Sequence, residues 1–136
     1  MINIEAITRI LAAHGYDEVA DVPIETHIKI ELEGEAMMPL VIEKIGENRL
    51  SVAHYYTQNG DLMSDPEIVF HINGNEWVPV RYTQHPHIHE YNENGLYNVA
   101  KFAKQWSENL DKQGYVEAGR KAASTSPSSP VGVNTQ

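Results

Sequence analysis

From Val22 to Glu33 apolar and polar residues alternate: Val22, Ile24, Thr26, Ile28, Ile30 and Leu32 fall on one parity, and Pro23, Glu25, His27, Lys29, Glu31 and Glu33 on the other. Successive side chains of an extended backbone point to opposite faces, so this is the pattern of a strand with one apolar and one wet face. Such a strand needs neighbours to pair with and a second layer over its apolar side. The rest of the chain supplies both.

Gly34 and Glu35 turn the chain into a second strand over Met37 to Ile45, and Gly46-Glu47-Asn48 turns it again into a third over Leu50 to Thr57. The stretch from Gln58 to Pro66 is rich in turn formers and reads as a long connection. Ile68 to Ile72 is a fourth strand, Asn73-Gly74-Asn75 a tight turn, and Trp77 to Thr83 a fifth strand. Pro79 has no ladder donor, which places that strand at an edge or gives it a bulge. His85 to Tyr91 reads as extended or looped.

The helical period brackets this block. Ile4, Ile7, Ile10, Leu11 and His14 form one stripe, with Asn3 suited to cap it and Gly15 to end it. From about Glu93, Leu96, Val99, Ala100, Ala103, Trp106 and Leu110 form another, which Gly114 stops. The expected fold is therefore α+β: a five-stranded, mostly antiparallel meander flanked by an N-terminal and a C-terminal helix. Residues 1–118 form the single domain, and 119–136, rich in Ser and Pro, read as a flexible tail.

Composition narrows the chemistry. With no cysteine among 136 residues, disulfides, thiol nucleophiles and Cys-type zinc sites are excluded. No apolar run is long enough for a membrane span, and Met1-Ile2-Asn3-Ile4-Glu5 lacks the features of a secretory signal, so a cytoplasmic location is expected. The net charge of −9 argues against direct contact with nucleic acid, which needs clustered Lys and Arg. That charge is uneven: residues 16–35 hold seven acids against one base, whereas 92–136 hold four acids against five bases. Electrostatic steering is therefore expected through the first strand, towards a basic partner.

Candidate sites follow from residue type and spacing. His85, His87 and His89 alternate, so in extended backbone three imidazoles could converge on Zn²⁺, although same-side strand neighbours are spaced wider than ligands of one ion. Asp61, Asp65 and Glu67 could hold a hard cation, or serve as turn chemistry. His54 shares parity with Leu50 and Val52 and reads as a core or interface histidine, whereas His27 shares parity with Glu25 and Glu31. His14 suits the C-terminal end of the first helix. Tyr55, Trp77 and Tyr91 could form an outward aromatic patch, or their rings could pack under the C-terminal helix with Trp106. No G-x-S-x-G, P-loop or G-x-G-x-x-G motif occurs.

The segment His54-Tyr55-Tyr56-Thr57-Gln58-Asn59-Gly60-Asp61-Leu62-Met63-Ser64-Asp65-Pro66-Glu67-Ile68-Val69-Phe70 resembles a family of uncharacterised small bacterial domains carried on conjugative and phage-like elements. Its hallmark is H-x-Y-x-Q-N-G-D-L-M-x-D-P-E-x-x-F, and Trp77 to Gln84 is similar to its next strand. The resemblance implies a mobile-element setting and no catalytic residue, cofactor or substrate. It singles out Gln58, Asn59, Gly60, Asp61, Asp65 and Pro66 as a shared structural or binding loop.

The expectation from all this is a non-enzymatic acidic binding protein that inhibits a host defence nucleoprotein complex, in the manner of an anti-CRISPR, and uses no cofactor. Its partner would be a host protein with a basic surface, such as a CRISPR effector subunit. Glu25, Glu31 and Glu33 would steer association, with Tyr55, Asn59, Asp61, Asp65, Glu67 and Trp77 in contact. The alternatives are a metal-dependent hydrolase or nuclease using His85, His87 and His89 with Asp61 or Asp65, and an obligate homodimer.

Overall fold

The computed structural model describes residues 4–33 and 37–125. Helix α1 (Glu5–Ala13) leads through a short 3-10 turn (Val19–Asp21) to six strands, β1 (His27–Ile30), β2 (Leu40–Gly46), β3 (Arg49–Gln58), β4 (Asp61–Asn73), β5 (Glu76–Gln84) and β6 (Ile88–Tyr91). Helices α2 (Tyr97–Gln113) and α3 (Tyr115–Thr125) follow. Every strand pairs antiparallel with its sequence neighbour, so the sheet order is the chain order. The meander expected from sequence is thus present, with six strands rather than five.

All three helices pack on one face. Ile7, Ile10 and Leu11 of α1, Val99, Ala103, Trp106 and Leu110 of α2, and Tyr115 and Val116 of α3 form one core with Ile28, Ile30, Ile42, Leu50, Val52, Ile68, Phe70 and Trp77 of the sheet. The stripe read in the sequence for α2 is the buried stripe observed. Gly119 brings α3 close in, since a Cβ there would lie 3.1 Å from side-chain carbons of Ile10 and Ile30. The helix therefore runs on to Thr125 with Gly119 buried, a correction to the tail expected to begin at 119; residues 126–136 lie outside the described residues.

Four other expectations need correction. The first strand is only four residues long, because the chain turns through Pro23 to Thr26 with Glu25 at φ 80. Ile24, placed by its parity on the apolar face, is 55% exposed. The stretch 58–66 is not a connection but the tip and outer half of a long hairpin. Gln58 pairs with Asp61 around Asn59 (φ 55) and Gly60 (φ 86), a two-residue turn whose positive φ at both positions suits Asn-Gly. His85 to His87 form the turn between β5 and β6, and Ile88–Tyr91 are the added strand.

The fourth correction concerns parity. Val69 pairs with Arg81 and Phe70 with Pro79, so Val80 is an extra residue, the bulge that Pro79 suggested. A bulge reverses alternation. Trp77 and Tyr82, which five-residue spacing would put on opposite faces of an unbroken strand, both lie on the helix side: Trp77 against Phe70, ring centroids 5.3 Å apart, and Tyr82 against Phe102 at 6.1 Å. Trp77 is 3% exposed and belongs to the core, not to an outward patch.

Asn3, read as the cap of α1, is outside the described residues; the N-cap position is Ile4, with no side-chain cap. His14 stands at the C-cap of α1, where its Nε2 lies 3.2 Å from the Gly119 carbonyl and can donate to it, tying α1 to α3. Among the described residues no helix is long and apolar enough to cross a membrane.

Candidate functional site on the open sheet face

The opposite face carries no helix among the described residues. Strand register places two rows of side chains across it: Lys29, Val41, Ala53, Glu67, Thr83 and His89, and beside them His27, Glu43, Ser51, Val69, Arg81 and Tyr91. Val41, Ala53 and Val69 form its low apolar ground, shielded by longer neighbours and absent from the helix-side core. Several of its charges are locally matched, Glu43 excepted. Glu67 accepts from Ser51 Oγ at 2.6 Å and lies 3.7 Å from Arg81, while Lys29 reaches Glu31 at 3.4 Å. At one margin Arg49 pairs with Glu93 at 3.1 Å, and the Tyr91 hydroxyl also donates to Glu93.

A pocket of about 570 Å³ opens at the β1–β2–β3 end of this face, within the range of small-ligand and side-chain sites. Val41 lies at its base; Met37, Met38 and Pro39 form one side, His27, Lys29 and Glu43 another, and Tyr55, Tyr56, Thr57 and Leu62 of the long hairpin a third. That side exists because β3 and β4 outrun their neighbours: β2 begins at Leu40, opposite His54, so the hairpin beyond Tyr55 projects past the sheet. Leu62, 65% exposed, and half-buried Tyr56 and Met63 lie on this projection.

The Met37 to Pro39 side is held from the core. His54 points towards the helices, its ring 5.5 Å from Trp106 and 5.1 Å from Tyr115, and its Nδ1 donates to the Pro39 carbonyl at 3.2 Å. The Tyr115 hydroxyl donates to the neighbouring Met38 carbonyl at 2.5 Å. Burial lowers the His54 pKa, outweighing its contact with the Pro39 carbonyl and the Asp65 charge, so the ring is neutral at neutral pH. Burial, with Glu67 and Glu43 nearby, pushes the Tyr55 hydroxyl up to about 12, and Arg81 opposes this only in part. Tyr55 is thus a neutral phenol in an electronegative setting.

The residues singled out by sequence divide cleanly. Tyr55 lines the pocket, and Glu67 lies on the same face behind it. Asn59 and Asp61 form the hairpin tip, whereas Asp65 accepts from Gln84 Nε2 at 2.8 Å and serves to join β4 to β5. Glu25, Glu31 and Glu33 do not form a strand face: Glu25 is in the turn before β1 and Glu31 and Glu33 follow it, so the acidic first strand is replaced by His27 and Lys29. Trp77, as shown, is in the core.

The three histidines do not converge. Ser64 donates from its backbone N–H to His85 Nδ1 at 2.8 Å, its Oγ is 2.9 Å from the same nitrogen, and the rings of His85 and His89 are 5.7 Å apart. His87 occupies the turn. Among the described residues no three His, Asp or Glu side chains are grouped to hold a metal ion. Sequence reasoning missed Val41, Glu43, Met37 and Met38; the signal for the first two was the parity of β2, unreadable without knowing which face the helices cover.

The fold and site define an α+β domain with an antiparallel sheet roofed on one side and pocketed on the other. Its family is shown by a match over residues 5–116: the chain belongs to the family described as Domain of unknown function (DUF6908). No curated protein matches the chain. No solved structure matches it.

Proposed function

We propose that the protein is a non-catalytic binding module of a mobile genetic element, which inhibits a host defence nucleoprotein complex of the CRISPR kind by occupying a protein surface on it. The observation that carries the reading is the one-sided roof: three helices seal one sheet face, and the other presents a pocket walled by aromatic and methionine side chains. Such side chains dominate protein interfaces. The likeness of residues 54–70 to domains of conjugative and phage-like elements supports the setting. The net charge of −9 favours a basic protein surface over nucleic acid.

Contact is assigned to the open face, with Tyr55 and the hairpin at its centre. The acids around the α1–β1 connection, Asp17, Glu18, Asp21 and Glu25, supply long-range attraction from one end of the molecule. The site of action is the cytoplasm, where such complexes work.

The test is plasmid interference in a host with an active CRISPR system. Expression of the protein should restore establishment of a targeted plasmid, and Tyr55→Ala, folded by circular dichroism, should not. Targeted plasmid establishing no better than in the empty-vector control would remove the defence-inhibitor reading.

A further inference from the structure

Glu43 is half-buried on the open face of β2, and its carboxylate makes no hydrogen bond or ion pair with any described residue. The neighbouring carboxylate on that face is served: Glu67 has Ser51 and Arg81. Lys29, the nearest cation along β1, is engaged with Glu31. A half-buried carboxylate without a partner on the protein is open to a counter-charge from outside. The field there agrees, since Glu43 and Glu67 both raise the Tyr55 hydroxyl.

The lining chemistry selects the occupant. An anion would meet Glu43 directly, and a neutral apolar group would strip its remaining water. A lone carboxylate is too few oxygen ligands for a bound divalent cation. What remains is a cation on an aliphatic stem. Tyr55 supplies an aromatic wall, Met37 and Met38 a soft thioether side, and Val41 the apolar base. A flat, weakly hydrated guanidinium can stack on a phenol ring and bond a carboxylate at the same time, which a compact ammonium does less well.

We infer that the open-face pocket receives an arginine side chain of the partner protein, with Glu43 as counter-ion, Tyr55 as stacking wall and the Met37–Met38 segment packing the stem. This rests on the reading of the open face as a protein-binding surface, and it names what that surface reads. Lys29, in the lining of the same pocket, is a like charge that an incoming guanidinium must approach.

The experiment is an NMR titration of the full chain, ¹³C-labelled at the methionine methyls, with N-acetyl-arginine methylamide. The expected result is saturable shifts at Met37 and Met38, with binding weakened about tenfold or more by the neutral isostere N-acetyl-citrulline methylamide and by Glu43→Gln. Lys29→Met, at an exposed side chain, should strengthen binding. Shifts that fail to saturate, that are equal with citrulline, or that survive Glu43→Gln would overturn the assignment. So would stronger binding of N-acetyl-glutamate methylamide, which would make Lys29 and His27 the recognising groups. Plasmid protection that still needs Tyr55 when arginine does not bind would leave the open-face reading standing and remove only the arginine.

Discussion

His54 and Tyr115 lie with ring centroids 5.1 Å apart, and each bonds one of two consecutive carbonyls, Pro39 and Met38, on the far side of which the pocket opens. The core and the open face are therefore joined through one short segment. A change in the charge of the buried imidazole would reach the pocket side directly.

The His54 pKa is lowered in the folded protein, while the unfolded chain protonates near the ordinary value of 6.5. As pH falls below about 6.5 the unfolded state takes up the proton first, so stability is lost until the folded pKa is reached, and it is fully present above 6.5. Urea midpoints at pH 8 and pH 5 should differ more for the wild type than for His54→Asn. That variant keeps a donor for Pro39 but cannot titrate.

Tyr55 should ionise later than an ordinary tyrosine, near pH 12, and ¹³Cζ-labelled tyrosine followed by NMR resolves it. Glu43→Gln removes one of the two charges that raise it, so the midpoint should move down. Because the unfolded phenol ionises near 10, stability at this site is lost as pH rises above 10.

Trp77→Ala should cost about 3–5 kcal/mol, the range for removing a buried aromatic ring. It faces Phe70 in the helix-side core. Tyr91→Ala, at a side chain 61% exposed, should change stability by less than about 0.5 kcal/mol. Equal effects of the two in chemical denaturation would contradict the placing of Trp77 in the core.

Lys44 is buried, and its Nζ donates to the carbonyls of Val19 at 2.8 Å and Val22 at 2.7 Å. Burial lowers its pKa, and Glu47 and Asp21 hold part of it back up. Lys44→Met should cost about 1.5–3 kcal/mol, the worth of hydrogen bonds to a charged group. Hydrogen exchange should quicken over residues 17–26 first, since that acidic connector loses its tether.

Gly60→Ala meets open space, so any cost comes from backbone conformation at φ 86 rather than from a clash. The expected loss is about 1 kcal/mol, with Gly60→Asn costing less because Asn tolerates that region. Equilibrium unfolding of the two variants checks it.

By itself the sequence determined the periods, and with them the α+β class, the antiparallel meander, the amphipathic face of α2 and the inward placing of His54. These follow from local geometry, since a side chain's face is set by its neighbours two or four residues away. Tertiary structure alone decided what broke the periods: Val80 reversed the alternation along β5 and put Trp77 and Tyr82 on one face, Asn59-Gly60 turned an apparent loop into a hairpin, and Gly119 let α3 pack where low bulk suggested a tail. The pocket belongs to this second group. Glu43, Val41 and Tyr55 meet across the β2–β3 hairpin on the side that the helices leave bare, and which side the helices leave bare is information no local pattern carries.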